Sequence, residues 1–474
     1  MKSDTISAIA TPRGEGGIGI VRISGSHALS VADAVFRARS QKALAEAASH
    51  CAVYGCVVER DGTPVDEGLA LVMRAPHSYT CEDVVELQCH GGQSVMRRVL
   101  ARTWEAGARA AERGEFTKRA FLNGRIDLAQ AEAVMAVVEA RSDRALKMAQ
   151  GHLAGHFSDR IRAMRHQILG MVAHIEAAID FPEDEVDDVL DVDLTRDITR
   201  LAEEIRGILS TANAGRILRD GLLTAIVGRP NVGKSSLLNA LLREERAIVT
   251  DIPGTTRDAI EEYADVGGVP LRIIDTAGIR ATEDTVERIG VERARDYAAR
   301  AALVLALFDR SRPLGEEDEA ILSLLKKKQA ILLLTKADLP PKTTREDLLA
   351  RVKAMGVVSA SGSMPQVIEI AAQAKSGVDR IGFDVLTDAV CRIAYQDAAE
   401  GDEADFVADA RQADALRRAE EHLRAAILTM EQEMGLDFVS IDLRSAVEAL
   451  GELTGETVGD AILDEIFSKF CIGK

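Results

Sequence analysis

Residues 228–235 read Gly-Arg-Pro-Asn-Val-Gly-Lys-Ser: a glycine, four residues, then glycine, lysine and a hydroxyl. The pattern lies between an apolar run, Leu222–Val227, and a helix-forming stretch, Ser236–Leu242, the context that a phosphate-binding turn requires. Its glycines let backbone amides close around phosphate oxygens. The ammonium of Lys234 can reach the terminal phosphates, and the hydroxyl of Ser235 suits Mg2+. Asn231, Val232, Gly233 and Ser236 complete the loop. Three further elements follow in order. Thr256, in Gly254-Thr255-Thr256-Arg257-Asp258, is spaced to be a second Mg2+ ligand. Asp275-Thr276-Ala277-Gly278 ends the run Leu271–Ile274 and brings a carboxylate and a flexible backbone to the metal and the γ-phosphate. Thr335-Lys336-Ala337-Asp338 ends the run Ile331–Leu334. There the Asp338 carboxylate would accept from the ring N–H and exocyclic amine of guanine. Adenine offers it no useful pairing, so GTP is expected over ATP.

Three positions depart from the usual pattern. Thr335 stands where asparagine is usual, so one polar contact is lost or replaced. The last guanine-facing element reads Ala371-Ala372-Gln373 and can offer only backbone amides in place of a serine hydroxyl. Ile279 follows Gly278, and an apolar side chain cannot orient an attacking water. Hydrolysis must then draw on another group, with charge neutralised by an arginine or a cation. Slow turnover is expected unless something completes the site.

These elements need a scaffold. The chain has 474 residues, a net charge of −18, 47% apolar residues, 4% aromatics and one Trp. That composition excludes a disordered chain and calls for a core of Ala, Val, Ile and Leu. The negative balance argues against a protein that coats nucleic acid nonspecifically. No signal-peptide core and no membrane-length apolar run occurs, and the six Cys form no CxxC pair. A reduced cytoplasmic protein is expected, with no membrane association. The periodicity predicts four stretches: an α/β segment over 1–123, helices over 124–220, a mostly parallel doubly wound sheet over 221–386, and helices again over 387–474. Candidate strands are Ile18–Ile23, Gly68–Met73, Leu271–Ile274, Ala302–Phe308, Ile331–Leu334 and Val367–Ile370. One Pro-free, Ala-rich helical run spans Leu128–Asp180 and ends at Phe181-Pro182. Helices on both sides of the sheet imply an inserted domain. Between Arg97 and Arg125 eight basic residues face three acidic ones. They form either a phosphate-contacting face or a set of arginines paired with acidic neighbours. Gly14-Glu-Gly-Gly-Ile-Gly19 matches a dinucleotide fingerprint literally, but it precedes a strand and opens no helix. His90 has no second His or Cys at metal spacing, which favours a structural role.

Several blocks together resemble the MnmE (TrmE) family of tRNA-modification GTPases, along nearly the whole chain. They are ATPRGEGGIGIVRISG, EDVVELQCHGG, GEFTKRAFLNGRIDLAQAEA, EAAIDFPEDE, AIVTDIPGTTRD, DTAGIR with VERIG, and the terminal CIGK. The resemblance implies an N-terminal folate-binding α/β domain, a discontinuous helical domain and an inserted Ras-like G domain. It implies a homodimer that hydrolyses GTP with Mg2+ and K+. The K+ would be held by Asn231, Thr250, Ile252 and Thr255, with Asp251, Pro253 and Gly254 of the same loop also against the nucleotide. Glu287 would position or activate water beside the catalytic Lys234 and Asp275. Arg22, Glu86, Arg125 and Lys474 match folate-binding positions, for 5-formyl- or methylene-tetrahydrofolate, with Arg125 standing where lysine is expected. Cys471 fits a prenylation signal badly; it is read as supporting a tail that serves the folate and tRNA-modification site, with a catalytic thiol as the alternative. The activity implied is addition of a carboxymethylaminomethyl or aminomethyl group to C5 of the wobble uridine of certain tRNAs. It would act with a flavoprotein, MnmG (GidA), that carries the FAD. The alternatives are a ribosome-assembly GTPase and a GTP-dependent switch or scaffold.

Overall fold

The computed structural model describes residues 4–12, 14–180, 187–244, 262–274, 296–359, 362–371, 381–395, 406–407, 409–432 and 434–474, without the side chains of 187–193, 243 and 244. The chain forms two compact units. One comprises Met1–Met135, His152–Gly170 and Val447–Lys474, the other Ala136–Gly151 and Met171–Ala446.

The first unit is built on seven strands: β1 (Ile6–Ile9), β2 (Gly19–Ser24), β3 (Phe36–Ala38), β4 (Cys51–Val58), β5 (Pro64–Met73), β6 (Val84–Cys89) and β7 (Arg109–Ala110). Their order is β3-β4-β5-β6-β2-β1-β7. All neighbours are antiparallel except β1 and β7. Helices α1 (Ala28–Val35) and α2 (Gln93–Glu105) cover one face. The period of two in a strand decides what each face receives. Val21, Ile23, Val85 and Leu87 enter the core with Val31, Val35, Met96 and Val99. Arg22 and Glu86 therefore fall on the opposite face, directly across from each other in the ladder.

Helix α3 (Glu115–Leu122) leads into α4 (Leu128–Glu139), α5 (Asp143–Ala154) and α6 (His156–Asp180). The Ala-rich run is thus three helices and not one. Its breaks have local causes: the Ser142 hydroxyl accepts from the Ala145 amide and starts α5, and Gly155 takes φ +95° between α5 and α6. Next come α7 (Asp187–Ser210) and α8 (Ala212–Asp220).

The second sheet contains β8 (Leu222–Gly228), β9 (Glu262–Val266), β10 (Val269–Ile273), β11 (Leu303–Asp309), β12 (Ala330–Thr335) and β13 (Gln366–Glu369). Its order is β13-β12-β11-β8-β10-β9, parallel except for the β9–β10 hairpin. Helices α9 (Lys234–Glu244), α10 (Glu316–Leu324), α11 (Arg345–Ala354) and α12 (Phe383–Ala394) accompany it. Both faces are covered, as a parallel sheet demands. Leu303, Leu305 and Leu307 of β11 enter one core, and Val304, Ala306 and Phe308 enter the other. That explains why β11 reads as an unbroken apolar run.

After the sheet come α13 (Ala410–Glu431), α14 (Leu436–Thr454) and α15 (Asp460–Ser468). Helices α7 and α13, which flank the sheet in sequence, pack along each other. Leu194, Ile198, Leu201, Ile205 and Ile208 are buried on one, and Ala415, Leu416, Ala419, Leu423 and Ala426 on the other. Arg206 and Glu420 close the edge at 2.9 Å.

The basic run from Arg97 to Arg125 is for the most part paired in place. Arg98 meets Glu59 at 2.8 Å and Arg102 meets Glu105 at 2.9 Å. Arg109 meets Asp4 and Glu115 at 2.8 and 2.7 Å, and Lys118 meets Asp464 at 2.5 Å. Arg119, 12% exposed at its side chain, reaches Asp4, Glu82 and Glu115 at 2.8, 3.1 and 2.9 Å. Arg113 donates to the Ser468 carbonyl and Arg125 to that of Ser78, while Arg97 is exposed. Arg109, Lys118 and Arg119 thereby tie α3 to the residues around it, while Arg98 and Arg102 form their pairs from α2. Burial works against the Glu115 carboxylate, yet Arg109, the Glu112 amide and Arg119 outweigh it and hold Glu115 below the usual range. Asp4 is lowered in the same way by Arg109 and Arg119 against its own burial. A carboxylate whose folded pKa lies below its unfolded value stabilises the fold above the unfolded value, about pH 4. That contribution is lost as pH falls through the folded value. Calorimetry of the full chain should show Tm falling below about pH 5. Arg119→Met should cost about 2–3 kcal/mol at neutral pH and flatten that dependence. An unchanged slope would contradict the network.

Candidate nucleotide site and a tail-closed cavity

The phosphate loop follows the C-terminal end of β8, the end at which parallel sheets bind ligands. Asn231 takes φ +58° and Gly233 φ +107°, so the loop turns through left-handed backbone before α9 starts at Lys234. A Cβ on Gly228 would lie 2.8 Å from Val232 and 3.0 Å from the Leu307 carbonyl, so glycine is required by close approach to β11. The first-turn amides of α9 and its dipole face the loop, an arrangement that attracts anions. Lys234 Nζ donates to the carbonyls of Gly228 and Arg229, both at 2.8 Å. Burial pushes its pKa down. Arg229, inside the loop, is held from outside. Its guanidinium meets Glu317 at 2.7 Å and the buried Asp318 at 2.9 Å, and the Asp318 carboxylate also accepts from the Gly315 amide that starts α10.

Thr335 ends β12 and is buried. Its hydroxyl lies 2.7 Å from the Val232 carbonyl and 3.2 Å from that of Phe308. The contact expected from an asparagine is thus replaced by a hydroxyl that ties the guanine-reading element to the phosphate loop. A hydroxyl has one proton to give, and the shorter distance assigns it to Val232. Lys336 takes φ +59° and meets Asp309, the last residue of β11, at 2.6 Å. Burial raises the Asp309 pKa, but Lys336 and two donors from Ser311 bring it below the usual range. Arg310 donates to the Ala337 carbonyl at 2.9 Å, and the Ala337 amide donates to Ile370. Asp338 is left exposed beside this frame, and Ala371 is buried next to it. Asp309, Arg310 and the Arg229–Asp318 pair were not singled out from the sequence. The legible signal was a carboxylate closing an otherwise apolar strand, Leu303–Asp309. Thr250, Asp251, Ile252, Pro253, Gly254, Thr255, Thr256, Asp275, Thr276, Ala277, Gly278, Glu287, Ala372 and Gln373 lie outside the described residues.

In the other unit Arg22, Glu86, Arg125 and Lys474 line one cavity of about 740 Å³. Arg22 Nε donates to Glu86 at 2.8 Å. Tyr79 lies beneath two guanidinium groups, with Arg125 5.1 Å and Arg22 5.6 Å from its ring centre. Its hydroxyl bonds Thr117, and burial raises its pKa. The tail reaches the cavity by docking its backbone. Ile472 forms an antiparallel bridge with Arg113. Gly473 takes φ +97°, and a Cβ there would lie 2.2 Å from the Ile9 carbonyl. Arg22 Nη1 stands 3.4 Å from the Gly473 carbonyl. Phe467 and Phe470 anchor the segment against Leu128 and Ala131. Cys471 is exposed and outside the lining. His90 bonds Asp66 at 2.8 Å, which raises its pKa. Among the described residues no group of three His, Cys, Asp or Glu side chains could hold a metal. Among them, too, no helix is long and apolar enough to cross a membrane.

The Thr335 tether yields a prediction. Thr335→Val keeps the shape and removes the donor, leaving the Val232 carbonyl short of its partner. GDP affinity should fall about tenfold, the equivalent of about 1.4 kcal/mol, in a titration with a fluorescent GDP analogue. Thr335→Asn should bind within about threefold of the parent, because the amide restores a donor. Equal binding by the valine variant would remove the tether from the account.

Comparison with known proteins bears on the family. The model of the TrmE N-terminus, described as GTP-binding protein TrmE N-terminus, matches residues 5–125, and that of the MnmE helical domain matches 128–471. A tRNA modification GTPase MnmE of Symbiobacterium thermophilum is 50% identical over the whole of both chains. One of Heliobacterium modesticaldum is 49% identical, again over the whole of both. One of Alkaliphilus metalliredigens is 47% identical over 99% of each. Among solved structures, the G domain of the T. maritima FeoB iron transporter is similar at 25% identity, covering 36% of this chain and 97% of that one, with a TM-score of 0.25 that adds nothing to the argument. On the full-length identity and the two domain models, this chain belongs to the MnmE family of tRNA modification GTPases.

Proposed function

We propose that this GTPase hydrolyses GTP with Mg2+ and K+ and acts with a flavoprotein to add a carboxymethylaminomethyl or aminomethyl group to C5 of the wobble uridine of certain tRNAs, drawing a one-carbon unit from a folate. The observation that carries the reading is the convergence of Arg22, Glu86, Arg125 and Lys474, from four distant points of the sequence, on one cavity. Two arginines and a terminal lysine suit the carboxylates of a folate tail. The second Glu86 oxygen can accept from the donor edge of a pterin, and Tyr79 offers an aromatic wall. The residues present thus fit 5-formyl- or methylene-tetrahydrofolate, which would supply the one-carbon unit. FAD fits poorly here: the literal glycine pattern at 14–19 leads into β2 and not a helix, so the flavin is assigned to the partner, MnmG.

In the G domain Lys234 is held between two loop carbonyls, ready to exchange them for phosphate oxygens. Ser235 opens α9, where its hydroxyl suits Mg2+. Asn231, in left-handed backbone within the loop, suits K+ together with Thr250, Ile252 and Thr255, and Thr256 would be the second Mg2+ ligand. Asp275 and Thr276–Gly278, by their spacing, would serve the metal and γ-phosphate. Glu287 orients water, since Ile279 cannot. The residues Thr335–Asp338 and Ala371–Gln373 read guanine. Helices that flank the sheet in sequence and pack on each other support a G domain inserted into a helical one. We further propose a cytoplasmic homodimer in complex with MnmG and tRNA.

The test is mass spectrometry of tRNA nucleosides from cells lacking the gene. The C5-modified wobble uridines should vanish and return with the parent gene. They should not return with Glu287→Ala, whose GTP turnover should fall about 100-fold or more. If the modified uridines persist in the absence of the gene, the reading fails. Co-sedimentation with ribosomal subunits would then be the next measurement.

A further inference from the structure

The β9–β10 hairpin is tied by sequence to both nucleotide-facing loops, starting six residues after Thr256 and ending two before Asp275. Among the described residues β9 is an edge strand paired with β10 alone, so it can shift without breaking a second ladder there. Two features grip it. The Arg141 guanidinium stacks 3.3 Å from the centre of the Tyr263 ring on β9. The turn, Gly267-Gly268, has φ +63° and +83°, as a tight hairpin requires, and it is pinched from two sides. A Cβ on Gly268 would lie 2.7 Å from the Arg144 side chain, and one on Gly267 would lie 2.5 Å from Thr387 of α12. Arg144 also reaches over the Tyr395 ring at 4.9 Å. Arg144 lies in the first turn of α5 and Arg141 two residues before it; Ala145 and Met148 of that helix pack with Ala214 and Leu218 of α8 and with Phe406. Ser142, between the two arginines in sequence, caps the helix. A movement of the hairpin therefore acts on α5 through one cation–ring contact, Arg141 on Tyr263, and through the packing of Arg144 against the Gly268 turn.

We propose that Arg141 and Arg144 are positioning residues that couple the hairpin, and through it the nucleotide state, to helix α5. The inference rests on the nucleotide reading of the phosphate loop. Neither arginine belongs to that loop, so hydrolysis and coupling are separable. Arginine is suited to the task because its flat cation stacks on a ring while its stem packs on a glycine backbone, whereas lysine offers no such plane.

The test is amide hydrogen exchange of the full chain in GDP and in a nonhydrolysable GTP analogue, with nucleotide occupancy measured in the same samples. In the parent, peptides over 143–154 should differ between the two states by about fivefold or more in exchange rate. In Arg141→Ala/Arg144→Ala that difference should collapse, while β11 stays protected and GTP turnover remains within about twofold. The milder Arg141→Lys, which keeps the charge, should lose part of the difference, and Tyr263→Phe, which keeps the ring, should retain it. A purely structural role would raise exchange equally in both states. Nucleotide bound with no change over 143–154 in the parent overturns the coupling alone. So does a full difference in the double variant or in Arg141→Lys. Failure to bind nucleotide overturns both the coupling and the reading it rests on.

Discussion

The contact on which the first unit turns is the backbone of Gly473 against the Ile9 carbonyl. No side chain fits between them, so the tail lies flat across the end of β1. This is what brings Lys474 to a cavity whose other charged walls come from residues 22, 86 and 125. The cost is the conformational entropy of ordering this segment. It is met by Phe467 and Phe470 in an apolar cluster and by the bridge from Ile472 to Arg113. The same α3 region is fixed from the other side by the Arg119 network, so the surface the tail lands on is itself held by ion pairs with partly buried partners.

The second unit solves a related problem with a hydroxyl. A phosphate loop and a base-reading loop must keep their spacing for a nucleotide to fit both. Thr335 joins them through one short hydrogen bond to Val232, and Asp309 and Arg310 hold the base-reading turn from the end of β11. Both units therefore use loops whose geometry is imposed from strand ends. In each, the chemistry-bearing side chain sits one step from a residue that only positions it.

Much of this was legible. Apolar runs bounded by glycine or a polar residue marked β8, β11 and β12, because a strand covered on both faces must be apolar throughout. The phosphate-loop spacing marked its own helix start. What escaped were relations that depend on distant partners. Nothing local to the arginines between 97 and 125 indicates that Asp4, Glu59 and Asp464 will neutralise them. The breaks at Ser142 and Gly155 were hidden inside a run of good helix formers, where a cap and one left-handed residue outweigh propensity. The cavity residues were named from resemblance, since period two alone places Arg22 and Glu86 on one face but says nothing of Lys474. Asp309 ends β11 and is also the partner that sets Lys336, a pairing across 27 residues that nothing local marks.

The claim at the centre of this account is that the docked tail completes a folate site. Calorimetric titration of the full chain with 5-formyltetrahydrofolate tests it most directly, comparing the parent with Gly473→Ala. The substituted tail must lift from Ile9, and removing Lys474 from the cavity should weaken binding about tenfold or more, with GDP affinity unchanged. Equal folate affinity in the two proteins, or none in the parent, would contradict the account.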